Sequence, residues 1–260
     1  MERSLMPAAN PESASTSPTL DIDALNRLLH EQPDAAAKLL QRAAHAGHAP
    51  AQTWLAQLYL DGTGVNADAG EALYWFQRAA HADVPMAMNM LGRCHENGWG
   101  TRVDYPLAAV WYRRAASHDL DWAIYNLAQM YANGRGMPQD RAEALRWFAR
   151  AAALGHARAM HFLGQFYEYG WEVEADQAHA FTLYRRSAEG GDYRGLCSWA
   201  SVLAGDGRVN EARALIERAI PLSPSHYLDS LVQQLRSSAH TELRALGEQI
   251  VAGSEPDPDR

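Results

Sequence analysis

Lysine is almost missing from this chain. Lys38 is the single example among 23 basic residues, so nearly all the positive charge is guanidinium and a lysine nucleophile, base or Schiff base is effectively excluded. Cysteine is nearly as scarce: Cys94 and Cys197 lie far apart at non-equivalent places and make no disulfide framework. No apolar run approaches the roughly 20 residues that span a bilayer, which argues against membrane insertion. Runs of basic residues are also absent. With a net charge of -8 the chain is poorly suited to neutralising phosphates, and nucleic acid is not an expected partner. The N-terminal stretch carries Glu2 and Arg3 and then Pro, Ser, Thr and Ala without a continuous apolar segment. It does not read as a secretory signal, and a cytoplasmic location is expected.

What the chain does have is a repeat. Asp-x-x-x-Ala-x-x-Trp-(Phe/Tyr)-x-Arg-Ala-Ala occupies Asp68 to Ala80, Asp104 to Ala116 and Asp140 to Ala152, and returns in weaker form at Asp176 to Ala188, with a period of 36 residues. Such a period predicts a stack of similar helical units rather than one globular core. Residues 1–20 are expected to be a disordered lead-in, 21–42 a capping helical hairpin, and 43–186 four repeats of equal length. Residues 187–218 form a shortened fifth repeat, 219–252 one or two capping helices, and 253–260 a flexible tail. A dimerising role for the C-terminal helices competes with the capping one, although a monomer is the primary expectation.

Each repeat follows the same grammar. A first helix places Leu55, Leu91, Leu127 or Leu163 on its core face, followed by a small residue, Ala56, Gly92, Ala128 or Gly164, where a facing helix can approach closely. Tyr59, Tyr131 and Tyr167 complete the apolar stripe, with His95 in their place in the second repeat. Gly62, Gly98, Gly134 and Gly170 end these helices. After a short loop, Asp68, Asp104, Asp140 and Asp176 sit where an N-cap belongs, and Glu71 and Glu143 complete capping boxes. Trp75, Trp111 and Trp147 are expected to fill the space between neighbouring repeats, and Gly47, Gly155 and Gly191 to end the second helices, with Asp83 and Asp119 in the equivalent places.

The combined pattern A-x-x-x-L-(G/A)-x-x-Y-x-x-G-x-G, then D-x-x-x-A-x-x-W-(F/Y)-x-x-A-A, resembles the Sel-1-like repeat, a branch of the tetratricopeptide superfamily, over roughly residues 43 to 218. The departures are His95, Glu172 for the second loop glycine, Leu183 for the tryptophan, and the short fifth repeat. The resemblance implies an all-α, right-handed α/α superhelical solenoid of antiparallel helix pairs. It also implies a concave groove, lined by first helices, that binds a protein or an extended peptide, as in adaptors of bacterial signalling, envelope and host-contact pathways.

If first helices line a groove, subtracting their core face leaves the residues that point into it. They are Thr53, Gln57 and Asp61; Asn89, Arg93, Glu96 and Asn97; Trp122, Tyr125, Gln129 and Asn133; Arg158, His161, Gln165, Glu168 and Tyr169; and Arg194. Gln57, Arg93, Gln129 and Gln165 share one column, whose amides and guanidinium suit the backbone of an extended peptide, with Trp122, Tyr125 and Tyr169 as apolar anchors. The plainer account of that column is a solvated helix face. Trp99 and Trp171 share a loop position in alternate repeats and form candidate edge contacts.

No catalytic, cofactor or metal site is expected. Gly98-Trp99-Gly100 and Gly134-Arg135-Gly136 look like phosphate-loop fragments, but no strand precedes them and they recur at helix junctions, so turn geometry accounts for them. Neither Cys94-His95 with His81, nor His156 with His161, has the paired spacing of a zinc site. Because some members of the resembled family are associated with β-lactam binding or hydrolysis, a serine followed three residues later by lysine would be diagnostic, and the chain has no such pair. The expected function is therefore a non-enzymatic adaptor or scaffold. The alternatives are an inhibitor or immunity-type binding protein, or a hydrolase acting on a small substrate.

Overall fold

The computed structural model of the chain describes residues 22–254. The expected disordered lead-in and nearly all of the expected tail lie outside them. The described residues hold fourteen α-helices and no strand: α1 (Ile22–Glu31), α2 (Pro33–His45), α3 (Ala49–Asp61), α4 (Ala69–His81), α5 (Pro85–Asn97), α6 (Tyr105–Ala116), α7 (Asp121–Asn133), α8 (Arg141–Ala153), α9 (Ala157–Tyr169), α10 (Gln177–Glu189), α11 (Tyr193–Gly205), α12 (Val209–Ala219), α13 (Ser225–Arg236) and α14 (Thr241–Ser254). Within each unit neighbouring helices, such as α3 with α4, α7 with α8 and α9 with α10, pack on one another through short connections, as antiparallel pairs do. The chain divides into two compact units, one of residues up to 87 with 99–101, the other of 88–98 and 102 onward.

The helix ends follow from local chemistry. Asp68, Asp104, Asp140 and Asp176 each cap a second helix, their Oδ1 accepting from the amides of Glu71, Leu107, Glu143 and His179 at 2.9 to 3.0 Å. The capping boxes are only half made. Each aspartate's own amide already donates to a carbonyl of the preceding helix, Tyr59, His95, Tyr131 or Tyr167 at 2.8 to 3.0 Å, so Glu71 and Glu143 have no amide to reach back to. Glu143 instead pairs with Arg146. These return bonds tie every interhelical loop to the end of its first helix.

The loop's second glycine has a steric duty. In the first compact unit a Cβ at Gly64 would lie 2.2 Å from the Pro33 carbonyl oxygen, and one at Gly100 2.1 Å from that of Ala69. In the second, a Cβ at Gly136 would lie 2.5 Å from the Tyr105 carbonyl carbon. Each loop therefore rests directly on the N-terminus of the preceding second helix. Glu172 holds the corresponding place in the fourth repeat with a left-handed φ of 57°.

The expectation for the aromatics needs correcting. The most completely buried rings are not the tryptophans but the residues after them: Phe76, Tyr112, Phe148 and Tyr184 are almost fully enclosed. Only Trp75 is buried among the three tryptophans; Trp111 and Trp147 are half-buried, each with an arginine guanidinium over its ring, Arg114 at 5.6 Å and Arg150 at 5.3 Å. Neighbouring helical residues point about 100° apart, so only one of the two can face the partner helix squarely. Trp147 does retain a seam role, packing on a cluster of Ala108 and Tyr112 from the preceding repeat and Leu127 and Met130 from its own. Tyr59, Tyr131 and Tyr167 are also half-buried rather than buried. Their hydroxyls stay near the surface, where that of Tyr131 accepts from Arg113 at 3.2 Å.

Facing the buried ring, ring type and small residue are matched. Tyr112 and Tyr184 lie against Gly92 and Gly164, where a Cβ would come within 2.7 and 2.6 Å of the rings. Their hydroxyls donate to Glu96 at 2.6 Å and Glu168 at 2.5 Å. The alternate repeats carry Phe76 and Phe148 with Ala56 and Ala128, and Leu60 and Ala132 where the glutamates stand. A buried hydroxyl needs both room and an acceptor, and the sequence supplies the two together. At the C-terminal end, α13 and α14 are two separate helices. Their Leu231, Leu235, Leu243 and Leu246 join Ala200, Leu203, Ala212 and Ile216 in one core, which is the work of a cap.

Candidate functional site

In the first compact unit the three predicted groove residues, Thr53, Gln57 and Asp61, are engaged locally. Thr53 donates to the Ala49 carbonyl at 3.3 Å, and Gln57 to Asp61 at 2.8 Å, both one turn away. Trp99 is half-buried. The remaining candidates belong to the second unit, where α7, α9 and α11 present one face.

Three of those candidates are buried and brace the face rather than open it. Asn89 accepts from Asn126 at 2.9 Å, joining α5 to α7. Tyr125, 8% exposed, stacks on His156 at 4.7 Å. His161 is buried, with Nδ1 3.3 Å from the Ser198 hydroxyl of α11. Burial pushes the His161 imidazole down to about 4, so it is neutral at physiological pH. Sequence periodicity places these residues on a first helix but does not say how closely the next helix covers them.

Others remain accessible. Trp122 is 46% exposed, and the Arg158 guanidinium lies 5.9 Å from its ring and 5.8 Å from that of Tyr125 while Arg158 Nε donates to Asp192 at 3.1 Å. Trp122, Arg158 and Asp192, with His156 and Asp121, border a cleft of about 310 Å³ at the N-terminal ends of α9 and α11. Gln129 and Asn133 form a ladder along α7, with Gln129 donating to the Tyr125 hydroxyl and Asn133 to Gln129, each at 3.2 Å. On α5, Asn97 donates to the Arg93 carbonyl at 2.9 Å, the Arg93 guanidinium lies 3.6 Å from Met90 Sδ, and Glu96 meets Arg135 at 3.5 Å. The amide column is thus made mostly of short exposed bonds along single helices, which a ligand can exchange at little cost.

A second cleft, of about 400 Å³, lies between α9, α11 and α13. Gln165, Glu168, Tyr169 and Arg194, four of the predicted groove residues, line it. So do Ser198, Ser201, Tyr227 and Gln234, which the sequence reading missed because the fifth repeat is short and the cap carries no repeat signal. Cys197 could have been found: it continues, 36 residues on, the column of Asn89, Tyr125 and His161. At the rim the groove and edge candidates meet. Tyr169, 57% exposed, stacks on Trp171, 38% exposed, with ring centroids 4.9 Å apart and planes at 30°. No group of three His, Cys, Asp or Glu side chains converges as a metal site among the described residues, and no described helix is long and apolar enough to cross a membrane.

Comparison with known proteins accords with this geometry. The Sel1 repeat model matches residues 31–48, 49–84, 85–120, 123–156 and 157–192; the first match covers α2, and the other four open near the start of a first helix. No curated protein matches the chain. Among solved structures, a Sel1 repeat protein from Oxalobacter formigenes is similar with a TM-score of 0.74 at 23% identity, over 90% of this chain and all of that one. A protective antigen of uropathogenic Escherichia coli with the same repeat fold gives 0.65 at 25% identity, over 90% of this chain and 56% of the antigen. An immunity protein from Pseudomonas aeruginosa gives 0.56 at 19% identity, over 83% of this chain and 84% of that one. With more than half its residues matched in consecutive repeats and its helices paired as the repeat requires, the chain belongs to the Sel1 repeat family.

Proposed function

We propose that this chain is a non-enzymatic protein-interaction module whose partner occupies the cleft between α9, α11 and α13 and the aromatic shelf beside it. The observation that carries the reading is the junction at Tyr169, where an open polar cleft runs into two stacked and exposed aromatic rings. Rings held rigid in this way offer contact area at small entropic cost. The remaining groove candidates, Arg93, Glu96, Asn97, Trp122, Gln129, Asn133 and Arg158, extend the same surface in this reading. The Ser198–His161 pair does not make a persuasive nucleophile. Its histidine is held neutral with a value near 4, which makes it a weak base, and Ser198 sits mid-helix, where backbone amides are already used and cannot stabilise an oxyanion.

An immunity-type binding protein, the role in the name of the Pseudomonas aeruginosa neighbour, would use the same surface and differ in affinity and partner. Two free thiols suit a cytoplasmic, reducing setting, and α13 and α14 spend their leucines within the chain, which favours a monomer over dimerisation through them. The test is affinity capture from lysate of the source cell with the wild type and a Trp122→Ala/Gln165→Ala/Tyr169→Ala variant, once circular dichroism shows both folded. A protein retained only by the wild type is expected. Equal recovery would sink the assignment of this surface.

A further inference from the structure

The loop from Glu168 to Asp176 differs from its sisters in charge and in seating. It carries Glu168, Glu172, Glu174 and Asp176 and no basic residue, whereas 60–68 holds Asp61 and Asp68, 96–104 balances Glu96 and Asp104 against Arg102, and 132–140 balances Asp140 against Arg135. Asp176 caps α10 and Glu168 accepts the Tyr184 hydroxyl, so both have structural work. Glu172 and Glu174 are exposed, and Glu172 holds a left-handed φ where the three sister loops use glycine. Those glycines let their loops rest on the preceding second helix, a position in which a Cβ would come within 2.5 Å of backbone atoms. A side chain at 172 is incompatible with that seating, and here a different contact is made: the Arg141 guanidinium lies over the Trp171 ring at 5.5 Å.

That contact shows what the shelf accepts. Trp171 already takes a guanidinium from its own chain on one side, and Tyr169 adds a second exposed ring stacked against it. The surrounding carboxylates do not converge as a metal site would require, so their spacing suits several charges along a chain better than one ion. The Arg141 guanidinium is already committed to Trp171, and the His179 ring is taken up against Tyr167 at 4.4 Å.

We propose that the Tyr169–Trp171 shelf, with Glu172 and Glu174, binds an arginine-bearing segment of a partner protein whose backbone continues into the cleft between α9, α11 and α13. This rests on the interaction reading above and adds the partner's chemistry. Guanidinium groups stack on the rings and pair with the carboxylates, while the cleft's amides and hydroxyls take the backbone.

The test uses the full chain and three fluorescently labelled Gly/Ser peptides of equal length, bearing spaced arginines, spaced glutamates, or neither, followed by anisotropy at low and high salt. The arginine peptide is expected to bind most tightly, to weaken as salt rises, and to lose about fivefold in affinity on Trp171→Ala or on Glu172→Gly/Glu174→Gln. Glu172→Gly restores the residue of the sister loops, so an unchanged or raised melting temperature separates lost binding from lost folding. Failure of the wild type to prefer the arginine peptide, or equal affinity in the variants, overturns the proposal. If the uncharged peptide still binds and Gln165→Ala weakens it, the cleft reading survives that failure; if no peptide binds, the proposal falls and the cleft reading stands or falls on the capture experiment.

Discussion

At Gly92 there is no room for even one carbon, because the Tyr112 ring would stand 2.7 Å from it. Gly92→Ala is therefore expected to cost about 1 to 3 kcal/mol. Adding Tyr112→Phe should recover part of that loss, since Ala128 and Phe148 coexist two helices further on. Urea denaturation of the two single variants and the double variant measures the coupling, and additive losses would contradict the matched-pair account. His161 gives a pH prediction. Its imidazole titrates near 4 in the fold against about 6.5 when free, so only the unfolded chain takes up a proton between those values. Its contribution is complete above pH 6.5 and is lost as pH falls toward 4, up to about 3 kcal/mol. Burial lowers His95 and His156 in the same direction. The melting temperature should thus fall over that window, and less steeply in His161→Gln. The residue types at these places were readable from the sequence, but the burial of Asn89, Tyr125 and His161 was not, because it depends on what neighbouring helices bring against them.

Helix ends were the most legible elements, since Asp, Gly and the loop spacing act within a few residues of chain. Asp140 shows the size of the effect: its carboxylate accepts from the Glu143 amide at 2.9 Å. Asp140→Ala is expected to lower stability by about 1 kcal/mol, seen as a shifted denaturation midpoint with an unchanged slope. The capping boxes were read wrongly for a reason that lies outside the helix. The aspartate amide is claimed by a tyrosine or histidine carbonyl nine residues back, a contact that becomes evident only once the loop is closed. The tryptophans were misjudged similarly, because a Trp-Phe or Trp-Tyr pair does not announce which ring faces the partner helix.

For the molecule as a whole, the all-α repeat fold could be read from periodicity. The cleft could not, because seven of its lining residues come from a shortened repeat and from α13, which follows no repeat. Ending the chain after Leu222 removes α13 and α14 and uncovers Leu203, Ala212 and Ile216. Such a truncation is expected to melt lower and to bind a dye sensitive to apolar surface, whereas unchanged melting would show that the cap is dispensable. The alternation of Gly-Glu-Tyr with Ala-apolar-Phe reaches further. An engineer who averaged the four repeats into one consensus would be forced to seat Tyr against Ala, which clashes, or Phe against Gly, which leaves a hole. Because Gly92, Glu96 and Tyr112 lie within one repeat, and Ala128, Ala132 and Phe148 within the next, either set can be exchanged as a whole repeat but not position by position.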